Sequence, residues 1–247
     1  MNQNNLLFIL LCNLVFCLHG KAQQNDFNKK NYPTSAFQIK SDTSSFGALK
    51  IVVTMVHPQN EVTAKFSCRT WLTIMKNGKR LKQKSYNIEP VGGCSGVYIP
   101  RKQPCKNYFI LSKFGDYEGQ TLLIDIDGKL TTLKGGSFSI SNDGNYLFSI
   151  FDSDVSGITV YDLKHKKIVL SAERNDDKRY SDVYFKDGKY FVSFEEETNA
   201  TATSVGRIDV RQGMIYVTKI ANSFLKNDAK LPVFNEVKSL QHCNCGY

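Results

Sequence analysis

The feature that most restricts this chain is a hairpin unit that recurs along it. Phe138–Ile150 (FSISNDGNYLFSI) can be laid beside Val183–Phe194 (VYFKDGKYFVSF) with Asp143-Gly144 on Asp187-Gly188, an offset of 44 residues. Each reads as strand, Asp-Gly turn, strand, with a tyrosine two positions after the glycine (Tyr146, Tyr190). A second hairpin follows in each: Ile158–Leu163 then Lys167–Leu170, against Arg207–Val210 then Met214–Val217. The same apolar–Asp–apolar–turn order appears earlier at Thr121–Ile126, so Asp125, Asp162 and Asp209 recur at spacings of 37 and 47. A degenerate copy is Trp71–Met75 with the Asn77-Gly78 turn and Arg80-Leu81. Four units result, near 46–90, 105–135, 136–175 and 178–220, each supplying up to four short strands.

A period of about 40–50 residues with four strands per unit predicts propeller blades, which bury their faces against their neighbours. Strands that are apolar on both sides fit this, as in Leu122-Leu123-Ile124 and Tyr146-Leu147-Phe148. The predicted fold is all-β: a small β-propeller-like array of four or five blades, with an antiparallel β-sandwich as the alternative. FSISNDGNYLFS (138–149) and VYFKDGKYFVSF (183–194) resemble the aromatic-Ser-x-Asp-Gly-x-Tyr blade signature of TolB-type and WD-repeat-like propellers. The resemblance covers two blades well and a third partly; the first unit departs from it, and no Trp-Asp dipeptide is present. It implies binding or scaffolding as the commonest use, although a fold does not dictate a function.

Composition sets the class. With 41 % hydrophobic and 22 % charged residues, the chain is neither disordered nor collagen-like. Its one long apolar run, Leu6–Leu18, is too short for a spanning helix, which needs about 20 residues. Gly20 and Ala22 follow it as small residues suited to signal cleavage, so 1–22 reads as an export signal. Residues 23–45 then read as a flexible polar lead-in, 46–220 as the propeller-like domain, and 221–247 as a tail pinned by cysteine. The expected location is periplasmic, cell-surface or secreted, with no transmembrane segment after cleavage. Removal of Cys12 and Cys17 leaves Cys68, Cys94, Cys105, Cys243 and Cys245. In an oxidising compartment the expected bridges are Cys94–Cys105, and Cys68 with Cys243 or Cys245, leaving one odd thiol. His242-Cys243-Asn244-Cys245 offers soft metal ligands, but C-x-C is not a usual zinc spacing.

Charge is concentrated. Residues 65–106 hold ten basic side chains against Glu89 alone, so this stretch carries the whole formal excess of +9. Lys79, Arg80, Lys82 and Lys84 are its core and the candidate site for an anionic partner. The bland alternative is a solvated hairpin whose lysines discourage edge pairing. Asp152, Asp154 and Ser156, followed by Gly157, place oxygen side chains as at the start of a calcium loop, although Leu163 stands where a closing glutamate belongs. No cofactor is expected apart from calcium at this loop. Glu195-Glu196-Glu197 reads as a solvated run, and Asn199-Ala200-Thr201 as a glycosylation sequon. His57, His165 and His242 are the only histidines after residue 22, and no Gly-x-Ser-x-Gly elbow, phosphate loop or His-Glu-x-x-His is present. The expected function is a non-enzymatic, exported binding or scaffolding protein with a protein or glycan partner. The alternatives are a secreted glycan-active hydrolase using loop carboxylates, and a basic-patch binder of acidic polysaccharide or lipid. Nucleic acid is not expected.

Overall fold

A computed structural model describes residues 26–58, 68–88, 96–100, 103–114, 119–151, 156–174, 178–196, 199–210, 214–218 and 230–231. It is an all-β structure of four antiparallel four-stranded meanders, one per repeat unit. The first sheet contains β1 (Phe37–Phe46), β2 (Leu49–Pro58), β3 (Cys68–Lys76) and β4 (Lys79–Ile88), in that order. The second contains β5 (Gly96–Tyr98), β6 (Tyr108–Phe114), β7 (Gln120–Asp125) and β8 (Leu130–Lys134). The third contains β9 (Ser137–Ile140), β10 (Tyr146–Phe151), β11 (Ser156–Asp162) and β12 (Lys167–Arg174). The fourth contains β13 (Lys178–Lys186), β14 (Lys189–Glu196), β15 (Asn199–Asp209) and β16 (Met214–Thr218). Each meander puts its first and third turns at the same end, so one end of the molecule collects eight connections.

The turns are made by the residues the sequence marks. Asn77 and Gly78 both take positive φ (51° and 76°), as do Asp187 and Gly188 (49° and 73°), giving tight two-residue hairpins. The aligned pair Asp143-Gly144 behaves differently. Only Gly144 is left-handed, and the loop is longer, closed by Tyr146 N–H on the Ser141 hydroxyl at 2.9 Å. One dipeptide thus serves two loop lengths, because β9 stops at Ile140 and β10 starts at Tyr146.

The sheets pack face to face in a row, and three apolar cores lie between them. The first core joins Ile51 and Val53 of β2 and Ile74 of β3 to Leu111, Leu122 and Ile124 of the second sheet. The second joins Ile110 and Leu123 to Phe138, Leu147 and Tyr161. The third joins Phe148, Ile158 and Val160 to Val183, Val192 and Phe194. Neighbouring residues on one strand therefore enter different cores: Leu122 and Ile124 face one way and Leu123 the other, and Leu147 and Phe148 divide likewise. This is why those strands are apolar on both sides, and it sets aside the two-layer sandwich. Among the described residues no core joins the fourth sheet back to the first, so the propeller-like row is not closed.

Both outer ends of the row are covered by chain. Residues 26–37 lie over the first sheet, where the Phe27 and Tyr32 rings sit 5.1 and 5.5 Å from Trp71. Phe27 N–H donates to Gln83 Oε1 at 3.0 Å, and Arg80 pairs with Asp26 at 2.8 Å. The reading of 23–45 as a flexible lead-in is corrected for 26–45. That stretch contains a 3-10 turn, Lys29–Asn31, and most of β1. Its polar composition conceals two rings that find the chain's single tryptophan. At the other end Leu231 N–H donates to the Val183 carbonyl at 2.8 Å, and the Leu231 side chain enters the third core. The described part of the tail is thus held by backbone pairing on β13 and by the Lys230–Asp182 ion pair at 2.8 Å. No helix of the described residues is long and apolar enough to cross a membrane.

Candidate functional site

The turn-bearing end opens into two clefts, each set between successive sheets. The first, of about 590 Å³, lies between the second and third sheets and is lined by Asn107, Asp125, Ile126, Asn145, Leu163 and Lys166 among others. Asp125 closes β7 as an Asx turn: its Oδ1 accepts Asp127 N–H at 3.0 Å and Lys129 N–H at 2.9 Å. Its Oδ2 takes the Lys166 ammonium at 3.0 Å, which ties the β7–β8 turn to the β11–β12 turn. Burial pushes the Asp125 carboxyl up, but the Lys129 N–H and the Lys166 ammonium outweigh it and hold it below the usual carboxylate range. Asp162 repeats the device one blade on, accepting His165 N–H at 2.8 Å while the ring Nδ1 lies 2.7 Å from its other oxygen. Burial raises it too, and the His165 backbone and ring bring it below its ordinary value.

These aspartates lead to a stability prediction. Asp125→Ala is expected to cost about 1–2 kcal/mol by urea denaturation at neutral pH, because two turn N–H groups and the Lys166 ammonium lose their acceptor. A carboxyl depressed in the folded state stabilises above its unfolded pKa, and that contribution disappears as pH falls through the folded value. The gap between wild type and Asp125→Ala should therefore shrink on acidification below pH ~4. A gap that persists unchanged at pH 2 would show that the carboxylate charge contributes nothing.

The second cleft, of about 780 Å³, lies between the third and fourth sheets and is lined by Asn142, Asp143, Tyr146, Lys189, Tyr190 and Arg207 among others. Asp143 is held by Ser141 Oγ at 2.5 Å, Asn145 N–H at 3.0 Å and Asn145 Nδ2 at 2.8 Å. Burial raises this carboxyl, and the Ser141 and Asn145 donors bring it below its usual value. The Tyr190 ring meets Tyr146 edge-on at 6.2 Å and packs on Phe148 at 4.9 Å and Phe185 at 5.0 Å. The two tyrosines that mark the repeat thus sit together in one cleft. Arg207, set against Phe191 on the face of β15 opposite Ile208, is half-buried, and its Nε is buried without a hydrogen-bond partner among the described residues. No motif points to Arg207; the only signal is its place two residues before Asp209 in the repeat.

The basic hairpin is divided by the sheet. Arg80 is committed to Asp26, and Lys79 is exposed at the β3–β4 turn. Lys82 and Lys84 pair across from Ile74 and Leu72, on the face that meets the second sheet. Lys84 lies 4.9 Å from the Tyr86 ring centre, with Lys113 of β6 at 5.8 Å from the same ring. Burial, followed by Lys82 and Lys113, lowers the Lys84 ammonium. The four cations therefore do not form one surface.

Ser156, expected as a calcium ligand, opens β11. Its hydroxyl is buried, donating to the Phe151 carbonyl at 3.3 Å and accepting Tyr180 N–H at 3.1 Å, so it stitches the third sheet to the fourth. Asp152 and Asp154 lie outside the described residues. Cys105, expected to bridge Cys94, carries a free thiol packed beside the second core, and burial pushes it up to about 11. Cys94, Cys243 and Cys245 lie outside the described residues, as does His242, and Cys68 is described only as backbone at the start of β3. Glu195 is exposed near the opposite end of β14, Glu197 lies outside, and Asn199 of the sequon begins β15. His57 is half-buried on β2, where burial, and then Lys40, lowers its ring. His165 stands exposed in its turn.

Fold and clefts together define an all-β, propeller-like protein with clefts between successive sheets at one end. No family model matches the chain, and no curated protein matches it. Among thirteen solved chains that do match is dihydro-heme d1 dehydrogenase NirN in complex with DHE, at 14 % identity and a TM-score of 0.29. The alignment covers 74 % of this chain and 47 % of that one, so the chain spans about half the length of that protein.

Proposed function

We propose that this protein is an exported, non-enzymatic binding or scaffolding protein that receives its partner on the turn-bearing end. The observation that carries this reading is how the carboxylates at that end are used. Asp125, Asp143 and Asp162 each close a turn, and each is held below its ordinary pKa by donors of its own turn, joined at Asp125 by Lys166 of the β11–β12 turn. A general acid for glycoside cleavage needs a carboxyl raised toward neutrality and a second one across the substrate. Depressed, fully engaged aspartates are instead suited to holding a rigid rim. Two clefts then lie side by side between three sheets, a repeated concave surface of the kind propeller-like arrays offer to partners.

The test is site-specific photo-crosslinking in the native cell. A photoreactive residue at exposed Asn145, on the rim of the first cleft, is compared with one at exposed Glu195, toward the other end of the fourth sheet. A discrete adduct from position 145 and none from 195 is expected. Equal adducts from both positions, or none from 145, would overturn the reading.

A further inference from the structure

We propose that the cleft between the third and fourth sheets binds a quaternary ammonium group, held against Tyr146, Phe185 and Tyr190 with the Asp143 carboxylate as its counter-charge. This rests on the binding reading above and names the ligand class of one cleft.

Strand register builds the aromatic half of the site. Phe185, Tyr190 and Ile208 lie in one row across β13, β14 and β15, and all three pack with the third core, so the row faces the third sheet. Tyr146 opens β10 two residues before Phe148 and packs with the same core from the other side. The Tyr190 ring meets Tyr146 edge-on at 6.2 Å and lies 5.0 Å from Phe185. All three rings are half-buried where they line the cleft. Aromatic rings carry negative potential on their faces, and a group of them attracts a cation, best when its hydration is weak.

Register also decides the charge of the cleft. Lys189 precedes Tyr190 and pairs with Lys186, while Arg207 and Asp209 flank Ile208, so all three leave their strands on the opposite face. Among the described residues lining the cleft, this leaves Asp143 as the formal charge on its own side. Burial, followed by the Asp143 carboxylate, raises the Tyr190 phenol, which sets that carboxylate close to the rings. The groups that hold Asp143 are the Ser141 hydroxyl and the Asn145 N–H and amide, all neutral, so they orient its charge without cancelling it. They also occupy both of its oxygens. A primary ammonium must satisfy three N–H donors and would find few acceptors here, whereas a quaternary one has no donors to satisfy. An anion would meet like charge. The volume of about 780 Å³ exceeds one such head group and leaves room for the chain that bears it.

The experiment uses the mature protein and isothermal titration with two probes, choline and 3,3-dimethyl-1-butanol, its uncharged carbon isostere. Choline is expected to bind at least tenfold more tightly. D143N is expected to bring choline to within about twofold of the isostere, and Y190L, which keeps apolar bulk but removes the ring, to weaken choline at least fivefold. E195Q removes an exposed carboxylate toward the other end of the fourth sheet and is expected to change neither affinity. Equal binding of the two probes by the wild type, no binding of choline, or a D143N protein with undiminished preference would each overturn the proposal. Should D143N or Y190L fail to fold by far-UV circular dichroism, the wild-type comparison of choline with its isostere decides alone. If choline does not bind but position 145 still crosslinks a discrete partner, this inference fails and the broader reading stands.

Discussion

Replacing Phe148 with alanine is expected to remove about 3–5 kcal/mol of stability, and replacing its neighbour Leu147 with alanine about 2–5 kcal/mol. The two side chains leave β10 on opposite faces and enter different cores, Phe148 the third and Leu147 the second. Both are fully buried, at 0 % exposure. Phe148 has Val192 and Phe194 across the sheet interface and the Tyr190 ring 4.9 Å away, so truncation leaves a cavity walled by several rigid neighbours. Guanidinium denaturation at neutral pH, with the slope held common, measures each loss. The pair is informative because their outcomes differ between architectures. A sheet with one solvated face would make one of two adjacent residues cheap to truncate, whereas a central blade makes both costly. A loss under 1 kcal/mol at either position would mean that the face it serves is not packed.

Gly135→Ala is the second large effect, expected at about 2–4 kcal/mol from left-handed strain and overpacking together. Gly135 joins the second sheet to the third with φ +94°, and an added Cβ would run into the carbonyl of Ile150 and the hydroxyl of Ser149. Its own carbonyl accepts both Thr121 Oγ1 at 2.6 Å and Ser149 Oγ at 2.9 Å, and its N–H reaches the Gly119 carbonyl at 2.7 Å. Backbone that must move to admit the methyl therefore disturbs a buried polar knot across two sheets. Gly144→Ala is the control. That glycine is also left-handed, at φ +70°, but nothing lies within 4 Å of its added Cβ, so only the backbone penalty of about 1 kcal/mol applies. Equal losses at the two positions would show that φ alone matters and that the space around Gly135 is not tight.

The repeat unit was legible because it is written in local chemistry. Asn77-Gly78 and Asp187-Gly188 need no distant partner to turn the chain, and the apolar runs around them carry the alternation of strands. The recurring Asp125 and Asp162 were visible as markers of register before their role was known. That role, closing turns with backbone N–H groups, follows from the same local rule. Other features depended on partners far along the chain. Phe27 and Tyr32 look like part of a polar leader until Trp71 is beside them, and Ser156 looks like an oxygen ligand until Tyr180 N–H occupies it. Lys79, Arg80, Lys82 and Lys84 form one basic run in sequence, yet pairing divides them: Arg80 goes to Asp26, while Lys82 and Lys84 flank the second sheet.

By itself, then, the sequence determined the all-β class, the four units and the turns, since hairpin chemistry and strand alternation act over a few residues. Only the tertiary structure decided which way each face points, how the row ends, and which polar groups are left over. Leu147 and Phe148 are both simply apolar in sequence; their division between two cores exists only once sheets lie on either side. Arg207 is one cation among many, until β14 and β16 flank its strand and its Nε lies buried with no acceptor among the described residues. Desolvation is a property of surroundings, and surroundings are assembled from residues tens of positions apart.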